Sequence, residues 1–365
     1  MTTLFIDDNK IEAEAGSTIL EVALENQVYI PHLCYHPGLP VTGELEPYEK
    51  IYHGSEKVEN GEVRETYECN LCLVEISGRE GLFRACTTPV EDGMSIQTDG
   101  PVIVKARQGN LASILKTHPH ECIVCTMAEG CNRKVCSMDV PVEERCCWKF
   151  ITCELRMVAR YIGVKEGLPP YVPEGLPVLD DNPLFSRDYN LCIGCLRCVR
   201  ACREFGKTGA LGFVHTDNIK MMVGTKAPTL KESGCKYCLA CVEVCPTGAL
   251  RDKKEKRSKT RDEIPPAVLP PEEWLELNEE NVFTVPETDG VFRLLNEEKE
   301  IVQITGTDNL REALVEELAQ DKGACFFDFE EDLMFTSRER QLIQQFLERT
   351  GRLPAGNDAL DDDLF

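Results

Sequence analysis

Eight cysteines between residues 192 and 245 could together bind iron. They fall in two runs, each with three cysteines separated by two residues and a fourth three residues further on. Three thiolates in one tight loop hold three irons of a 4Fe–4S cluster, and the fourth thiolate comes from the other run. The spacing therefore predicts two clusters. The ligands of the first would be Cys192, Cys195, Cys198 and Cys245. The ligands of the second would be Cys235, Cys238, Cys241 and Cys202.

Zinc is the alternative metal, since structural zinc sites with four cysteine ligands also use C-x2-C pairs. Such a site needs two separate pairs, whereas each run here is an overlapping triplet with a distant fourth cysteine. Pro246 follows the last cysteine of the second run, as in bacterial two-cluster ferredoxins, while Arg203 takes that place in the first run. We therefore predict a two-cluster ferredoxin domain at residues 166–250, with the Gly/Pro-rich residues 164–190 as an extended linker leading into it.

A second set of cysteines lies nearer the amino terminus, at Cys34, Cys69, Cys72 and Cys86. Four thiolates with one close central pair suit a 2Fe–2S cluster, in which each iron takes two cysteines. Zinc is again the alternative. Polar residues 7–10 between two apolar segments predict an opening hairpin, and Thr18-x-x-Glu21 predicts a capped helix. Strand, strand, helix is how a β-grasp domain begins, so we predict a 2Fe–2S domain of that fold at residues 1–100.

The gap between the first two of these cysteines is wide, because residues 43–66 are polar and charged. We expect a surface insertion there, which the slow growth of loop-closure entropy with length makes tolerable. Two interpretations stay open for it: a plain loop, or an element that docks onto something else.

Residues 101–165 are predicted to form a helical domain around a third iron site. Apolar residues between Ile103 and Leu115 have helical spacing, and His118, Cys122 and Cys125 follow directly. A histidine four residues before a C-x2-C pair suggests mixed ligation of a 4Fe–4S cluster, in which a neutral imidazole leaves the cluster less negative than four thiolates would. His120 is the alternative histidine ligand.

The order of these motifs resembles a known family. A plant-type 2Fe–2S domain, then H-x3-C-x2-C, then a two-cluster ferredoxin is similar to the amino-terminal half of the large peripheral-arm iron–sulfur subunit of complex I. Electron-bifurcating hydrogenases and NAD-dependent formate dehydrogenases have subunits of the same layout. The segment IPHLCYHPGL around Cys34 is similar to that family's first-cysteine motif. The resemblance covers roughly residues 1–250.

The family's pattern places one more cysteine after the C-x2-C pair, usually followed by Glu-Leu. Cys131 has the nearer spacing, but Glu-Leu follows Cys153. We therefore predict that His118, Cys122, Cys125 and Cys153 bind the third 4Fe–4S cluster. An insertion would then contribute four ligands of an additional 4Fe–4S cluster: Cys131, Cys136, Cys146 and Cys147. The competing assignment exchanges Cys131 and Cys153, and a third possibility is that the extra four are unligated thiols.

Residues 251–365 are predicted to be a charged, proline-rich linker followed by a small docking extension. Apolar segments on either side of residues 296–299 predict a hairpin. Asn309-x-x-Glu312 and Thr336-x-x-Glu339 predict two helices, which makes the extension a small α/β module. Cys325 stands alone before two phenylalanines and is expected to be a buried apolar residue. The expected fold class of the whole chain is α+β.

Composition narrows the functional classes. The chain has 365 residues and 20 cysteines, with 40 basic against 63 acidic side chains, a net charge of −23. That charge argues against nucleic-acid binding. We expect no signal peptide, because the chain does not start with positive charge followed by an apolar run. We also expect no membrane span, because no apolar stretch approaches about 20 residues. Clustered cysteines in a chain of this kind favour metal binding in the cytoplasm over disulfide bonds.

These observations predict an electron-transfer subunit that is not catalytic by itself, because no G-x-G-x-x-G phosphate loop or substrate site is present. The resemblance implies an NADH/flavin-binding subunit with a small 2Fe–2S companion at one end. It also implies a separate catalytic subunit at the other end. A nickel–iron hydrogenase in an electron-bifurcating complex with ferredoxin is the first candidate, and a formate dehydrogenase or an acyl-CoA reductase system is next. A redox-sensing iron–sulfur protein is the alternative from another class.

Overall fold

The structure is a computed structural model. It describes the chain apart from residues 41–44, 63–67, 126–135, 137, 166, 217–220, 254–262, 272–273, 321–322, 351 and 361–365. The described residues form two compact units, one up to residue 270 and one from residue 271.

The first unit contains twelve described strands and six described α-helices. The strands are β1 (Thr2–Ile6), β2 (Asn9–Ala13), β3 (Lys50–His53), β4 (Glu56–Glu59), β5 (Leu73–Ile76), β6 (Phe83–Arg84), β7 (Ser95–Gln97), β8 (Val178–Leu179), β9 (Phe185–Asp188), β10 (Leu211–Val214), β11 (Met222–Thr225) and β12 (Leu250–Asp252). The helices are α1 (Ile19–Glu25), α2 (Pro101–Leu115), α3 (Glu121–Val124), α4 (Glu154–Ile162), α5 (Arg197–Glu204) and α6 (Ala240–Glu243).

A five-stranded sheet in the order β2-β1-β7-β5-β6 builds the first 100 residues. β1 pairs antiparallel with β2 and parallel with β7, and its side chains alternate so that Leu4 and Ile6 are buried while Phe5 faces solvent. The predicted capping box begins α1: the Thr18 side chain accepts from the Glu21 backbone, and the Thr18 backbone N–H donates to the Glu21 carboxylate at 2.8 Å. Apolar residues of α1 share one core with β1, which gives the expected ferredoxin-like arrangement.

The polar insertion at residues 43–66 is not a plain loop. Its described part forms the antiparallel hairpin β3–β4, which extends the sheet to the order β10-β11-β3-β4. The Tyr48 hydroxyl donates to the Gly209 carbonyl oxygen at 2.8 Å, and the Gly61 N–H donates to the His215 carbonyl oxygen at 2.8 Å. The insertion therefore docks onto the two-cluster region of its own chain. Of the two interpretations, a docking element describes it better than a plain loop.

The two-cluster region is built around α5, α6 and two small sheets. β10 pairs with β11, and β9 lies between β8 and β12 in a second sheet. The predicted linker at residues 164–190 is therefore only partly correct, because its second half forms β8 and β9. The side chains of Phe185, Val199 and Phe213 are fully or almost fully buried in the core of this region.

The second unit is a four-stranded sheet with helices. Its elements are β13 (Leu275–Glu276), α7 (Glu279–Thr284), β14 (Gly290–Leu295), β15 (Ile301–Thr307), α8 (Leu310–Leu318), β16 (Phe326–Glu331) and α9 (Phe335–Thr350), with the strands in the order β13-β16-β14-β15. Phe292 packs in a core with α8, and its neighbour Val291 packs in another core with α9. Because neighbouring residues of a strand point to opposite faces, both faces of the sheet are covered.

Three predictions in this unit can be checked directly. The hairpin around residues 296–299 is present as β14–β15, and Asn309 caps α8 by accepting from the Glu312 N–H at 3.2 Å. Cys325, expected to be buried, is only partly buried. That prediction was wrong because Cys325 comes just before β16 rather than on its buried face.

No helix among the described residues is long and apolar enough to cross a membrane.

Candidate iron–sulfur sites

The four cysteines predicted to bind a 2Fe–2S cluster meet in the first unit. Each is buried, with at most 6% of its surface exposed: Cys34, Cys69, Cys72 and Cys86. They come from three places in the fold, namely the segment after α1, the segment before β5 and the segment after β6. The Cys34 and Cys69 sulfurs lie 3.3 Å apart. The Cys86 side chain is within hydrogen-bonding reach of both Cys34 and Cys72.

Such a set of convergent thiols is chemically suited to a metal cluster. Hydrogen bonds from the Cys69 and Cys86 side chains hold the pKa of Cys34 well below its usual value. The same contact with Cys34, together with burial, raises the pKa of Cys69. Four buried thiolates could not lie this close without cations to neutralise them, and two irons with two cysteines each meet that need.

The first predicted 4Fe–4S set also comes together. Cys192 and Cys195 lie in the loop before α5, Cys198 lies on α5, and Cys245 follows α6. Burial raises the pKa of Cys195 to about 12, with added effects from the nearby thiols of Cys245 and Cys192. Burial, followed by the thiols of Cys195, Cys192 and Cys245, also raises the pKa of Cys198. The two cysteine runs thus contribute to one site, as the crossed ligand pattern requires.

The second predicted 4Fe–4S set lines a cavity. Four of its lining residues are the predicted ligands Cys202, Cys235, Cys238 and Cys241. The empty space is about 340 Å³, including the part open to solvent. Burial, followed by the Cys202, Cys235 and Cys238 thiols, raises the pKa of Cys241 well above its usual value. A cavity walled by four cysteines and by apolar residues such as Phe185 and Leu239 fits a 4Fe–4S cluster.

The two cysteine loops repeat the same backbone geometry. Leu196 and Leu239 precede α5 and α6 with left-handed φ angles of 57° and 64°. Two residues earlier, Gly194 and Tyr237 have φ angles of 70° and 57°. Their N–H groups donate to the Cys192 sulfur at 3.4 Å and the Cys235 sulfur at 3.3 Å, respectively. Backbone hydrogen bonds to ligand sulfurs are one means by which a protein adjusts a cluster's potential.

The predicted His/Cys site lies at the end of α2. His118 and His120 are both buried, so burial does not choose between them. The His118 Nδ1 lies 2.7 Å from the Pro119 carbonyl oxygen, and the His120 Nδ1 lies 2.9 Å from the His118 carbonyl oxygen. A ring that donates through Nδ1 carries its lone pair on Nε2, which is the arrangement that a histidine ligand needs.

The cysteines of this site do not separate as cleanly as the sequence analysis assumed. The Cys146 N–H donates to the Cys122 sulfur at 3.3 Å. The Cys122 side chain is the first cause of a raised pKa at Cys146, followed by burial and by the thiols of Cys122, Cys153 and Cys147. Burial raises the pKa of Cys153 to about 11. Cys122 and Cys146, which we assigned to different clusters, thus lie together.

The other predicted ligands of the additional cluster are more scattered. Cys131 lies outside the described residues, and Cys136 is partly buried. Cys147 packs against the two-cluster region, where its sulfur fills the space that a side chain at Gly248 would need. The division of these cysteines between two clusters stays a prediction.

Two family models of iron–sulfur domains match this chain. Residues 1–101 match the family described as a 2Fe-2S iron-sulfur cluster binding domain, and residues 191–249 match a 4Fe-4S dicluster domain. Residues 270–349 match a domain of unknown function (DUF7508). The mixed α/β fold with a 2Fe–2S ferredoxin-like domain and a 4Fe–4S dicluster domain is therefore confirmed.

Two curated relatives match about two thirds of the chain. The G 2 subunit of the NADH-quinone oxidoreductase of Rhizobium meliloti is 30% identical over 251 residues, which are 68% of this chain and 24% of that protein. The HndD subunit of the NADP-reducing hydrogenase of Solidesulfovibrio fructosivorans is 29% identical over 252 residues, which are 68% of this chain and 36% of that protein. The chain is a homologue of these iron–sulfur subunits. The predicted resemblance to the large complex I subunit is thereby confirmed.

A solved structure has the same fold over most of the chain. It is a chain of an NAD+-reducing [NiFe]-hydrogenase in the H2-reduced state, with a TM-score of 0.50 and 23% identity, covering 71% of this chain and 90% of that one. The curated relatives are longer, since the matches span only about a quarter and about a third of their lengths. These comparisons establish homology to parts of larger redox subunits.

Two arginines belong to the site although the sequence analysis did not single them out. Arg197 and Arg200 lie one turn apart on α5, and both side chains are only 1% exposed. The charges of Cys34 and Cys195 act on both of them, so the two guanidinium groups lie near the 2Fe–2S site and the first 4Fe–4S site. The sequence feature that could have identified them is an R-x-x-R pair inside a cysteine run of an acidic chain.

Proposed function

We propose that this chain is an iron–sulfur electron-relay subunit of an NAD(H)-linked multisubunit oxidoreductase. The observation that carries the proposal is a single apolar core shared by the three cluster-bearing regions. Cys34 and Cys69 of the 2Fe–2S region, Cys153 beside α4, and Ile193 in the first ferredoxin loop are all buried in it. Cluster sites that share one core keep fixed distances from one another, which electron transfer along several clusters requires. A redox sensor that responds by losing one cluster has no such requirement.

The bound clusters would supply reversible one-electron chemistry, and the chain's residues hold and adjust them. Backbone N–H groups of the two ferredoxin loops donate to ligand sulfurs, and Arg197 and Arg200 place positive charge close to the thiolates. Both features favour the more negative, reduced form of a cluster. Apolar side chains such as Leu191, Leu196 and Leu239 keep water from these sites.

We infer one 2Fe–2S cluster, three 4Fe–4S clusters and a fourth 4Fe–4S cluster in the insertion. Such a chain would contain about 18 iron atoms, against about 14 without the additional cluster. Iron and acid-labile sulfide analysis of anaerobically purified protein measures this number. A value near 14 removes the additional cluster and leaves the relay function intact.

The partners follow from the homologues, whose names describe subunits of NADH- and NADP-linked complexes. We propose an NADH/flavin-binding subunit with a small 2Fe–2S companion as one neighbour. The other would be a separate catalytic subunit, with a nickel–iron hydrogenase first and a formate dehydrogenase or acyl-CoA reductase next. Clustered reduced cysteines favour the cytoplasm as the location.

Anaerobic purification from the native source, through a tag on this chain, tests the proposal. We expect a flavoprotein and a catalytic oxidoreductase subunit to copurify in stoichiometric amounts, and mass spectrometry would identify them. A redox titration of the same material should show several reversible potentials. A chain that purifies alone, and loses or remodels one cluster on oxidation, would instead be a sensor.

A further inference from the structure

The two ferredoxin loops have the same backbone but different surroundings. In the first loop, Ile193 and Gly194 are buried beneath the rest of the unit. At the same positions of the second loop, Lys236 and Tyr237 are exposed, with 37% of the Tyr237 surface open. The tip of the second loop therefore reaches solvent, while the tip of the first loop does not.

The surface around the second loop is basic, which is unusual in a chain with a net charge of −23. Lys236 lines the same cavity as Cys202 and Cys241. Three more exposed lysines adjoin residues that line this cavity. Two of them are neighbours in sequence, and the third makes a backbone hydrogen bond. Lys207 precedes Thr208, Lys231 follows Leu230, and the Lys226 N–H donates to the Ala210 carbonyl oxygen at 3.0 Å.

The acidic side chains in the same segments neutralise these lysines only in part. Glu204 lies 3.7 Å from the Lys207 ammonium group, and both side chains are largely exposed. Glu232 is occupied by hydrogen bonds with the Thr229 backbone and hydroxyl. Four lysines against two glutamates leave a positive charge in these segments, and Tyr237 adds an exposed aromatic side chain beside Lys236.

We propose that this lysine surface, formed by Lys207, Lys226, Lys231, Lys236 and Tyr237, docks a small acidic electron-carrier protein. This inference rests on the proposed relay function and identifies the type of partner at one of its ends. Charge complementarity steers such encounters and selects partners, and exposed tyrosines are typical anchors at their centre. One electron would pass between the cluster of the second loop and the redox centre of the carrier, with no bond formed and no proton transferred.

Binding to a purified, acidic two-cluster ferredoxin tests the docking surface, with the anaerobically isolated, cluster-loaded chain and immobilised ferredoxin as probe. We expect the double variant Lys207→Glu/Lys236→Glu to bind at least about tenfold more weakly at about 0.05 M salt. At about 0.5 M salt the wild type and the variant should converge, because screening shortens the range of the charges. Lys10→Glu/Lys105→Glu is the matched control, since it makes the same charge change at two exposed lysines outside this surface, on β2 and α2, and should bind like the wild type.

Tyr237→Gly provides a second variant in case the double charge reversal disturbs folding. Glycine is the residue at the equivalent position of the first loop, so the left-handed backbone is retained while the aromatic side chain is lost. We expect weaker binding at both salt concentrations. Equal affinity of the wild type, Lys207→Glu/Lys236→Glu and Tyr237→Gly would overturn the docking surface.

A redox titration of the same preparations separates the two possible failures. If the clusters titrate reversibly in every variant while binding is unchanged, the docking surface is wrong and the relay function stands. If the wild-type chain shows no reversible clusters, the relay function itself fails, and the docking inference fails with it.

Discussion

Arg197 and Glu154 form a buried ion pair that joins the first ferredoxin helix to the helix after Cys153. Arg197 Nη1 lies 2.6 Å from Glu154 Oε2, and the two side chains are 1% and 12% exposed. Burial opposes the guanidinium charge, but the Glu154 carboxylate and the Cys195 thiol outweigh it and raise the pKa of Arg197. This pair therefore fixes α5 against α4, and with them two of the predicted cluster sites.

Glu154→Gln should destabilise the first unit markedly. It leaves a buried guanidinium without its counter-charge, which costs about 3 kcal/mol. For a unit of this size, that corresponds to a fall of roughly 6–10 °C in the thermal midpoint. Anaerobic circular dichroism melting of the cluster-loaded protein measures the change.

Glu91→Gln is the control for this prediction. Glu91 pairs with Arg79 at 2.5 Å on the surface, where the side chains are 63% and 38% exposed. Losing such an exposed pair costs less than about 1 kcal/mol. Similar midpoints for the two variants would show that the Arg197–Glu154 pair does not hold the helices together.

Arg200→Lys should loosen the 2Fe–2S site from the two-cluster region. Arg200 donates to the backbone carbonyl oxygen of Pro40 at 2.7 Å and also to that of Cys34. A lysine has no planar fork with which to reach both carbonyls in this geometry. We expect a changed electron paramagnetic resonance signal and faster loss of the 2Fe–2S cluster, with the 4Fe–4S signals retained. Arg203→Lys, on the same helix but partly exposed near the Tyr48 ring, should leave the 2Fe–2S signal unchanged.

Gly212→Ala should release the inserted hairpin β3–β4. A methyl group at Gly212 would overlap the Tyr48 ring, and the Tyr48 hydroxyl could not then keep its bond to Gly209. Limited proteolysis should cut the segment 43–66 sooner than in the wild type. Gly109→Ala makes the same chemical change on α2 with no atom nearby, and should stabilise by up to about 1 kcal/mol. Equal proteolysis of Gly212→Ala and wild type would contradict the docked hairpin.

The pairing of that hairpin could not be predicted from the sequence, whereas local features could. Local signals such as the Thr18–Glu21 capping box and the Asn309 cap involve residues three apart, so they are visible in the sequence and appear in the structure. The pairing of Tyr52 with Thr225 joins residues far apart in the chain. Tyr52 belongs to β3, which has only four residues and buries only Ile51 and His53. So short a strand has little hydrophobic pattern, so its partner could not be predicted.

Local features also bring the predicted cysteine sets together. The crossed 4Fe–4S sets come together because their ligands are positioned by short loops whose conformation follows from the C-x2-C-x2-C spacing. In the insertion, spacing alone does not determine which cysteines meet. Cys122 and Cys146 are brought together by the tertiary fold, across 23 intervening residues.

His53 should make the docking of the hairpin sensitive to acid. Its ring stacks on Tyr189 at 3.7 Å, and its Nε2 lies 2.9 Å from the Val223 carbonyl oxygen. Burial lowers the pKa of His53 below its ordinary value of 6.5, and Arg187 adds to this while Val223 and Glu56 oppose it. The undocked hairpin then binds a proton more readily than the docked one, so the stabilisation is complete above about pH 6.5 and is lost as the pH falls below it.

Thermal midpoints at about pH 7.5, 6.5 and 5.5 test this pH dependence, with His53→Phe as the comparison. Phenylalanine keeps the ring against Tyr189 but does not titrate, so its midpoint should fall less between pH 6.5 and 5.5. Clusters lost to acid affect both proteins equally and cancel in the difference. Parallel curves for the two proteins would exclude His53 as the source of the acid sensitivity.

Cys147→Ser should reveal whether the insertion binds its own cluster. The Cys147 sulfur lies against Gly248 in the two-cluster region, and its neighbour Cys146 contacts Cys122 of the His/Cys site. If Cys147 ligates an additional 4Fe–4S cluster, its loss should lower the iron content by about four atoms per chain, from about 18 to about 14. Cys325→Ser is the matched control, because Cys325 lies in the second unit and should leave the iron content unchanged. A Cys147→Ser protein with undiminished iron and unchanged cluster spectra would mean that this thiol is no ligand.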